Sequence, residues 1–314
     1  MKHNTSLPRS LNLLKGARQS FFIIFSLIIF FTGCSSAPKR SMQVSTIYSS
    51  ASEMIESANS CILSGDYEKA GFFLSAAENQ AMSIDNYDLL TAASLARCSL
   101  CLSLNPPDIE TAERYVGFAQ SFVKNCAEPK KQQAIVDLTQ VRIEIAKANI
   151  NETSNINTAA LLSKLEENRK NIKGDAYYEA QFTQVEGDIY KLQKNYVLAD
   201  KSYSAAAKAF IDNRYLSEIG ICWYKAAQVR SLAGNKDSAI QAMEQSIYYD
   251  RCAENSIALG TDYYAVGLIL SKGSATANEK TRAIEAFTHS AEIFTAINAD
   301  ELAKRSREAA KELH

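Results

Sequence analysis

With 34 Lys and Arg against 35 Asp and Glu in 314 residues, the chain is nearly neutral, at −1. Lys2, Arg9, Lys15 and Arg18 fall in the first 33 residues, so the remaining 281 carry 30 basic and 35 acidic side chains, a balance of about −5. That balance argues against a nucleic-acid surface and a polybasic membrane patch, and the length suits one large or two ordinary domains. The first element is a basic stretch with no acidic residue before Phe21, followed by the apolar run Phe21–Phe31, interrupted only by Ser26. As a helix these eleven residues rise about 16 Å, about half a bilayer core. The run therefore reads as the apolar region of a secretory signal rather than a lasting span.

The signal ends in Phe31-Thr32-Gly33-Cys34, which resembles the lipobox of bacterial lipoproteins, with Phe31 where Leu is usual. The resemblance implies cleavage after residue 33, a diacylglyceryl thioether on the Cys34 sulfur and an acyl chain on the new amino group. One chain anchors only marginally, whereas several anchor durably. Ser35 to Ser41 then reads as the start of a flexible tether over 34–49. By the enterobacterial lipoprotein sorting rule, the resemblance with Ser35 in place of an acidic residue favours outer-membrane delivery, the protein facing the periplasm.

Beyond the tether the chain reads as all-α. Proline does not occur after Pro129, the composition favours helix, and no stretch alternates long enough for a strand. A helical hairpin recurs. From Gly187, Tyr190 lies at +3, Ala199 at +12, Tyr203 at +16 and Ala206 at +19. From Ala227, Trp223 lies at −4, Ala239 at +12, Met243 at +16 and Ser246 at +19; from Ala58, the matching positions are Cys61, Ala70, Leu74 and Ala77. Small residues at the reference site and at +12 allow close helix approach, and large ones fill the groove to the next hairpin. Gly65 and Gly234 are expected to end first helices, with Asp66 or Asp237 starting the next.

These units resemble the tetratricopeptide repeat (TPR), chiefly through Trp223, Gly187, Tyr190, Ala199 and Tyr203. A further unit carries Tyr263, Gly267, Leu270, Ala283, Phe287 and Ser290 with four extra residues in its turn. Degenerate units pair 86–103 with 108–125 and 131–150 with 157–171. The +12 alanines Ala70, Ala112, Ala160, Ala199, Ala239 and Ala283 are spaced 42, 48, 39, 40 and 44 apart, longer than the TPR period of about 34. The expectation is a TPR-like solenoid over 50–314, with about six hairpins and a polar capping helix after Asn298.

Little in the sequence points to catalysis. His289 is the one histidine between the signal and the C-terminal residue, and its position reads as a helix surface. Cys98-x-x-Cys101 lies in an apolar helical stretch, which favours packing over redox or metal chemistry, and no cofactor or metal is expected. In TPR arrays first helices line the inner groove, so the resemblance places Asn59, Gln181, Gln184, Asp188, Lys191, Tyr224, Gln228 and Tyr264 there. They lack the Lys-Asn-Asn-Lys-Arg set by which chaperone-binding repeats hold a C-terminal carboxylate. The function expected is non-enzymatic: a lipid-anchored scaffold binding envelope proteins or peptides. The alternative is a ligand-handling accessory subunit of a TRAP-type transporter, paired with a solute-binding protein.

Overall fold

The computed structural model describes residues 45–150 and 156–313. The expected signal peptide, Cys34 and the tether up to residue 44 lie outside the described residues. All regular structure among those described is helical. Six hairpins pair α1 (Thr46–Leu63) with α2 (Tyr67–Ser83), α3 (Tyr87–Ser103) with α4 (Ile109–Phe122), and α5 (Pro129–Ile150) with α6 (Thr158–Arg169). They continue with α7 (Ala176–Leu192) and α8 (Tyr196–Asp212), α9 (Leu216–Leu232) and α10 (Lys236–Cys252), and α11 (Ser256–Ser271) and α12 (Ala277–Ala296). α13 (Asp300–Lys311) follows as the end cap. α1 begins at Thr46, inside the stretch 34–49 expected as tether, because Thr46–Ser49 contains no breaker and runs directly into the apolar face of Ala51 and Ile55.

One turn geometry joins most of these helices. The helix ends in a residue with positive φ, and the next residue sends its N–H back five positions to a carbonyl, the Schellman pattern. Examples are Asp66 to Cys61 at 2.9 Å, Asn195 to Tyr190 at 2.9 Å, Tyr215 to Phe210 at 3.1 Å and Asn255 to Asp250 at 3.0 Å. Glycine carries the positive φ at Gly65 and Gly234, whereas Lys194, Arg214 and Glu254 carry it elsewhere. The residue after it is the N-cap, and Asp66, Asn195 and Asn255 each accept a backbone N–H through the side chain. The expectation for Asp237 needs correction: Asn235 holds the N-cap position of α10, and Asp237 is the second residue of its first turn, where its charge favours the helix N-terminus.

The hairpins pack as the repeat spacing requires. Ala58, Ala70, Ala112, Ala199, Ala239 and Ala283 are fully buried. A β-carbon on Gly187 would stand 2.6 Å from the Tyr203 ring, and one on Gly267 would stand 2.5 Å from Phe287. The missing side chain is therefore the seat of the partner's aromatic ring. Trp223 is half-buried and bridges two core clusters, and Tyr190 packs against the one built on Ala199 and Tyr203. Ala160 departs from the expected register and is exposed. α6 is only 12 residues long and begins at Thr158, so Ala160 lies in its capped first turn and Leu165 is its buried residue.

At the α9–α10–α11 junction a pair of carboxylates is buried. Asp250 is 2% and Asp262 1% exposed. Ser246 Oγ stands 3.0 Å from Gly220 O, 3.0 Å from Asp262 Oδ1 and 3.4 Å from Asp250 Oδ2. The hydroxyl has one proton to offer three acceptors, so a carboxyl proton must complete the set. Burial raises both carboxyls above the usual range, and for Asp262 the neighbouring Asp250 charge adds to it. Gly220 makes the arrangement possible, because a β-carbon there would collide with the Asp250 carboxylate.

Two predictions follow from these features. Arg214→Gly relieves a left-handed backbone at a non-glycine residue and raises stability by roughly 0.5–1 kcal/mol in denaturant titration. For the acid pair, a carboxyl whose native pKa is raised holds its proton more tightly when folded. Its stabilisation is complete below the ordinary Asp range of about 4 and is lost as pH rises through the raised native value. Asp262→Asn supplies a permanent donor, so it gains on the wild type by up to about 1.4 kcal/mol per pH unit over that rise. Melting curves at pH 5 and pH 8 measure this; a constant offset between the two proteins would contradict a shared proton.

Candidate functional site

The first helices of successive hairpins lie side by side, α1 against α3, α3 against α5 and α5 against α7. Their inner faces surround a cavity of about 710 Å³, reached by α1, α3, α5, α7 and α9. The lining follows helical spacing: residues 177, 181, 184 and 188 on α7, and 218, 221 and 225 on α9. The array also meets itself. Asn255 Nδ2 donates to Leu63 O at 3.3 Å across 192 positions, and the Ile257 side chain lies beside Gly65. The start of α11 thus rests on the α1–α2 turn.

Of the eight expected groove residues, Asn59, Gln181, Gln184 and Asp188 line this cavity. Asn59 is exposed, whereas Gln181 and Gln184 are 7% and 6% exposed and form its floor. Gln184 Nε2 reaches Cys222 Sγ at 3.5 Å, and Gln181 Oε1 accepts from Arg142 Nη2. The other four are not part of the lining. Lys191 Nζ donates to Gln228 Oε1 at 2.5 Å beyond its edge, and burial lowers the Lys191 ammonium below the usual lysine range. Tyr224 is half-buried on α9. Tyr264 packs on Phe287 with ring centroids 5.2 Å apart and accepts from Arg305 Nε of α13 at 3.1 Å, so it ties the cap to the solenoid.

Asp188 organises the wall. Its carboxylate accepts from Tyr203 Oη at 2.8 Å and from Lys225 Nζ at 2.8 Å, joining α7, α8 and α9. Burial and the adjacent Asp188 charge push the Tyr203 hydroxyl upward, which keeps it a proton donor. Four chemically important lining residues, Arg142, Tyr177, Glu218 and Lys225, escape the sequence reading. Glu218 and Lys225 stand on α9 at the helical spacing of the lining stripe, and Tyr177 lies one turn before Gln181 on α7. Extending the stripe by a turn would have found Tyr177; Arg142 had no such signal, because its unit lacks the repeat markers.

Of the six cysteines among the described residues five are buried and Cys252 is exposed, and His289 lies exposed on a helix surface. Cys98 and Cys101 are buried thiols among Val116 and Ile143. Burial, with Cys101 nearby, pushes the Cys98 thiol up to about 12, the reverse of nucleophile activation. His289 is on α12, with Nδ1 3.2 Å from Glu292 and its ring edge-on to Tyr263 at 4.4 Å.

Neither a protein-family profile nor a curated protein sequence matches the chain. Solved structures do. Apo RapI superposes with a TM-score of 0.54 at 12% identity, covering 84% of this chain and 70% of that one. Aspartyl phosphate phosphatase F from Bacillus subtilis gives a TM-score of 0.49 at 11% identity, over 84% of this chain and 68% of that one. A signal-transduction ATPase with a tetratricopeptide repeat sensor, from Pyrococcus horikoshii, gives 0.43 at 17% identity, over 84% and 41%. The fold is an all-helical, TPR-like solenoid.

Proposed function

We propose that this chain is a bacterial lipoprotein, held to the outer membrane by lipid on Cys34 and facing the periplasm, whose solenoid is a scaffold for envelope proteins or peptides. The observation that carries the reading is the inner face. It gathers tyrosines, amides and scattered charges from five consecutive first helices around one concave cavity of about 710 Å³. Such a surface suits adaptable polar contacts with an extended partner. The reading takes the chain as a binding module without a cofactor, and it treats Cys98 and Cys101 as packing residues and His289 as a helix-surface residue. A second reading, the ligand-handling accessory subunit of a TRAP-type transporter, draws on the Asn255–Leu63 contact. That contact brings distant hairpins together around the cavity and favours a small ligand over a long one.

Photocrosslinking residues at Asn59 on the inner side and at Val197, 79% exposed on α8, separate inner-face binding from chance contact. Envelope-protein adducts are expected at Asn59 alone; equal yields at both positions would count against a specific inner face. Cys34→Ala removes the lipidated sulfur and is expected to move the protein from the membrane pellet to the soluble fraction. Retention of the variant in the pellet would show that something other than lipid holds it.

A further inference from the structure

Within the cavity, α7 presents Tyr177 and Gln181 one helical turn apart, and each engages a charged side chain from a different neighbouring helix. Arg142 of α5 donates through Nη2 to Gln181 Oε1. Glu218 of α9 accepts from Tyr177 Oη at 3.3 Å. Positions one turn apart have β-carbons about 5–6 Å from each other, so a cation and an anion reach the same strip of α7 from opposite sides. Among the described residues neither is in an ion pair, although the same wall holds the closed pair Lys225–Asp188 at 2.8 Å.

Both groups retain unused hydrogen-bonding capacity. A guanidinium has five N–H donors in a planar fork and a carboxylate about four acceptor positions; each has one side-chain partner here. Both line the cavity rather than the outer surface. The strip between them is rigid. Gln181 is 7% exposed, and the Tyr177 ring packs against Tyr215 at 4.8 Å, Tyr178 at 5.3 Å and Phe210 at 5.9 Å. Burial raises the Glu218 carboxyl above its usual range, a cost that an ammonium group beside it would offset. Withdrawing charges from water without pairing them is unfavourable, and a molecule with complementary ends recovers that penalty.

We propose that Arg142 and Glu218 form a two-ended site for a zwitterionic ligand, with a carboxylate on the Arg142 guanidinium and an ammonium on the Glu218 carboxylate. The site rests on the reading of the inner face as a binding surface and supplies its chemistry. Two sources carry this chemistry: a free amino-acid-like molecule, or acidic and basic side chains of a peptide segment lying along α7. The Tyr177 hydroxyl between the ends donates to Glu218, so Tyr177 positions that carboxylate.

The test uses the full chain in detergent micelles, by titration calorimetry and thermal melting. One probe set is the free L-amino acids; the other is an acetylated, amidated peptide with one Glu and one Lys two residues apart. At least one set is expected to bind and to raise the melting temperature. Arg142→Gln and Glu218→Gln should each weaken that binding about tenfold or more, and Arg142→Lys should restore part of it. The unliganded melting temperatures of these variants report whether the fold is intact. Binding of free amino acids alone identifies a small ligand, and binding of the blocked peptide alone identifies a segment; either bears out the two-ended site. Failure of both sets to bind, or equal binding by wild type and the two Gln variants, overturns it. Loss of the Asn59 crosslinks with intact probe binding would instead sink the scaffold reading and leave this site standing.

Discussion

The solenoid depends on how closely the two helices of a hairpin approach at one point. Gly187 has no side chain, and the Tyr203 ring occupies the space a β-carbon would take, 2.6 Å away. Because the ring enters there, its hydroxyl emerges at Asp188 on the inner side, and Asp188 in turn holds Lys225 of the next hairpin. One missing side chain thus sets the hairpin's separation, the position of a buried aromatic residue and an ion pair to the following repeat. Gly267 with Phe287 repeats the first two of these effects without the third. The packing device is general along the array, whereas the polar wall is particular to the α7–α8–α9 region.

The parts legible in the sequence are those governed by volume. Small and large residues must recur at fixed offsets for helices to interlock, so Ala199, Ala239 and Ala283 could be placed without coordinates. The turns were less legible. Glycine signals the left-handed residue at Gly65 and Gly234, but Arg214 and Glu254 adopt the same backbone with no compositional mark, because the Schellman bonds fix it. Ala160 went astray because a short helix shifted the register, and burial there passed to Leu165. In the site, Gln181 and Gln184 belong to the cavity lining and are so deeply buried that they form its floor. Arg142 was invisible because its helix belongs to a unit without repeat markers. Which side chains of a face reach a shared cavity depends on the spatial order of helices, which periodicity within one helix does not encode.

The Asp250–Asp262 pair shows the same packing logic with the opposite chemistry. At Gly220 the absent side chain admits a carboxylate where other repeats admit a ring. The junction is therefore held by a hydrogen-bonded cluster around Ser246 rather than by an aromatic contact. An apolar seat is indifferent to acidity, while this one is not, so the α9–α10–α11 region carries a sensitivity that its neighbours lack.

The bond from Asn255 to Leu63 changes the array in a further respect. In an open solenoid each repeat touches only its neighbours, stability is a sum of adjacent terms, and the ends fray independently. A contact spanning 192 positions turns that line of neighbours into a loop of dependencies. Fraying at the first hairpin then removes a support from the sixth, and the converse holds. The two ends share one fate, and unfolding proceeds as a more cooperative event than a chain of nearest-neighbour steps would allow.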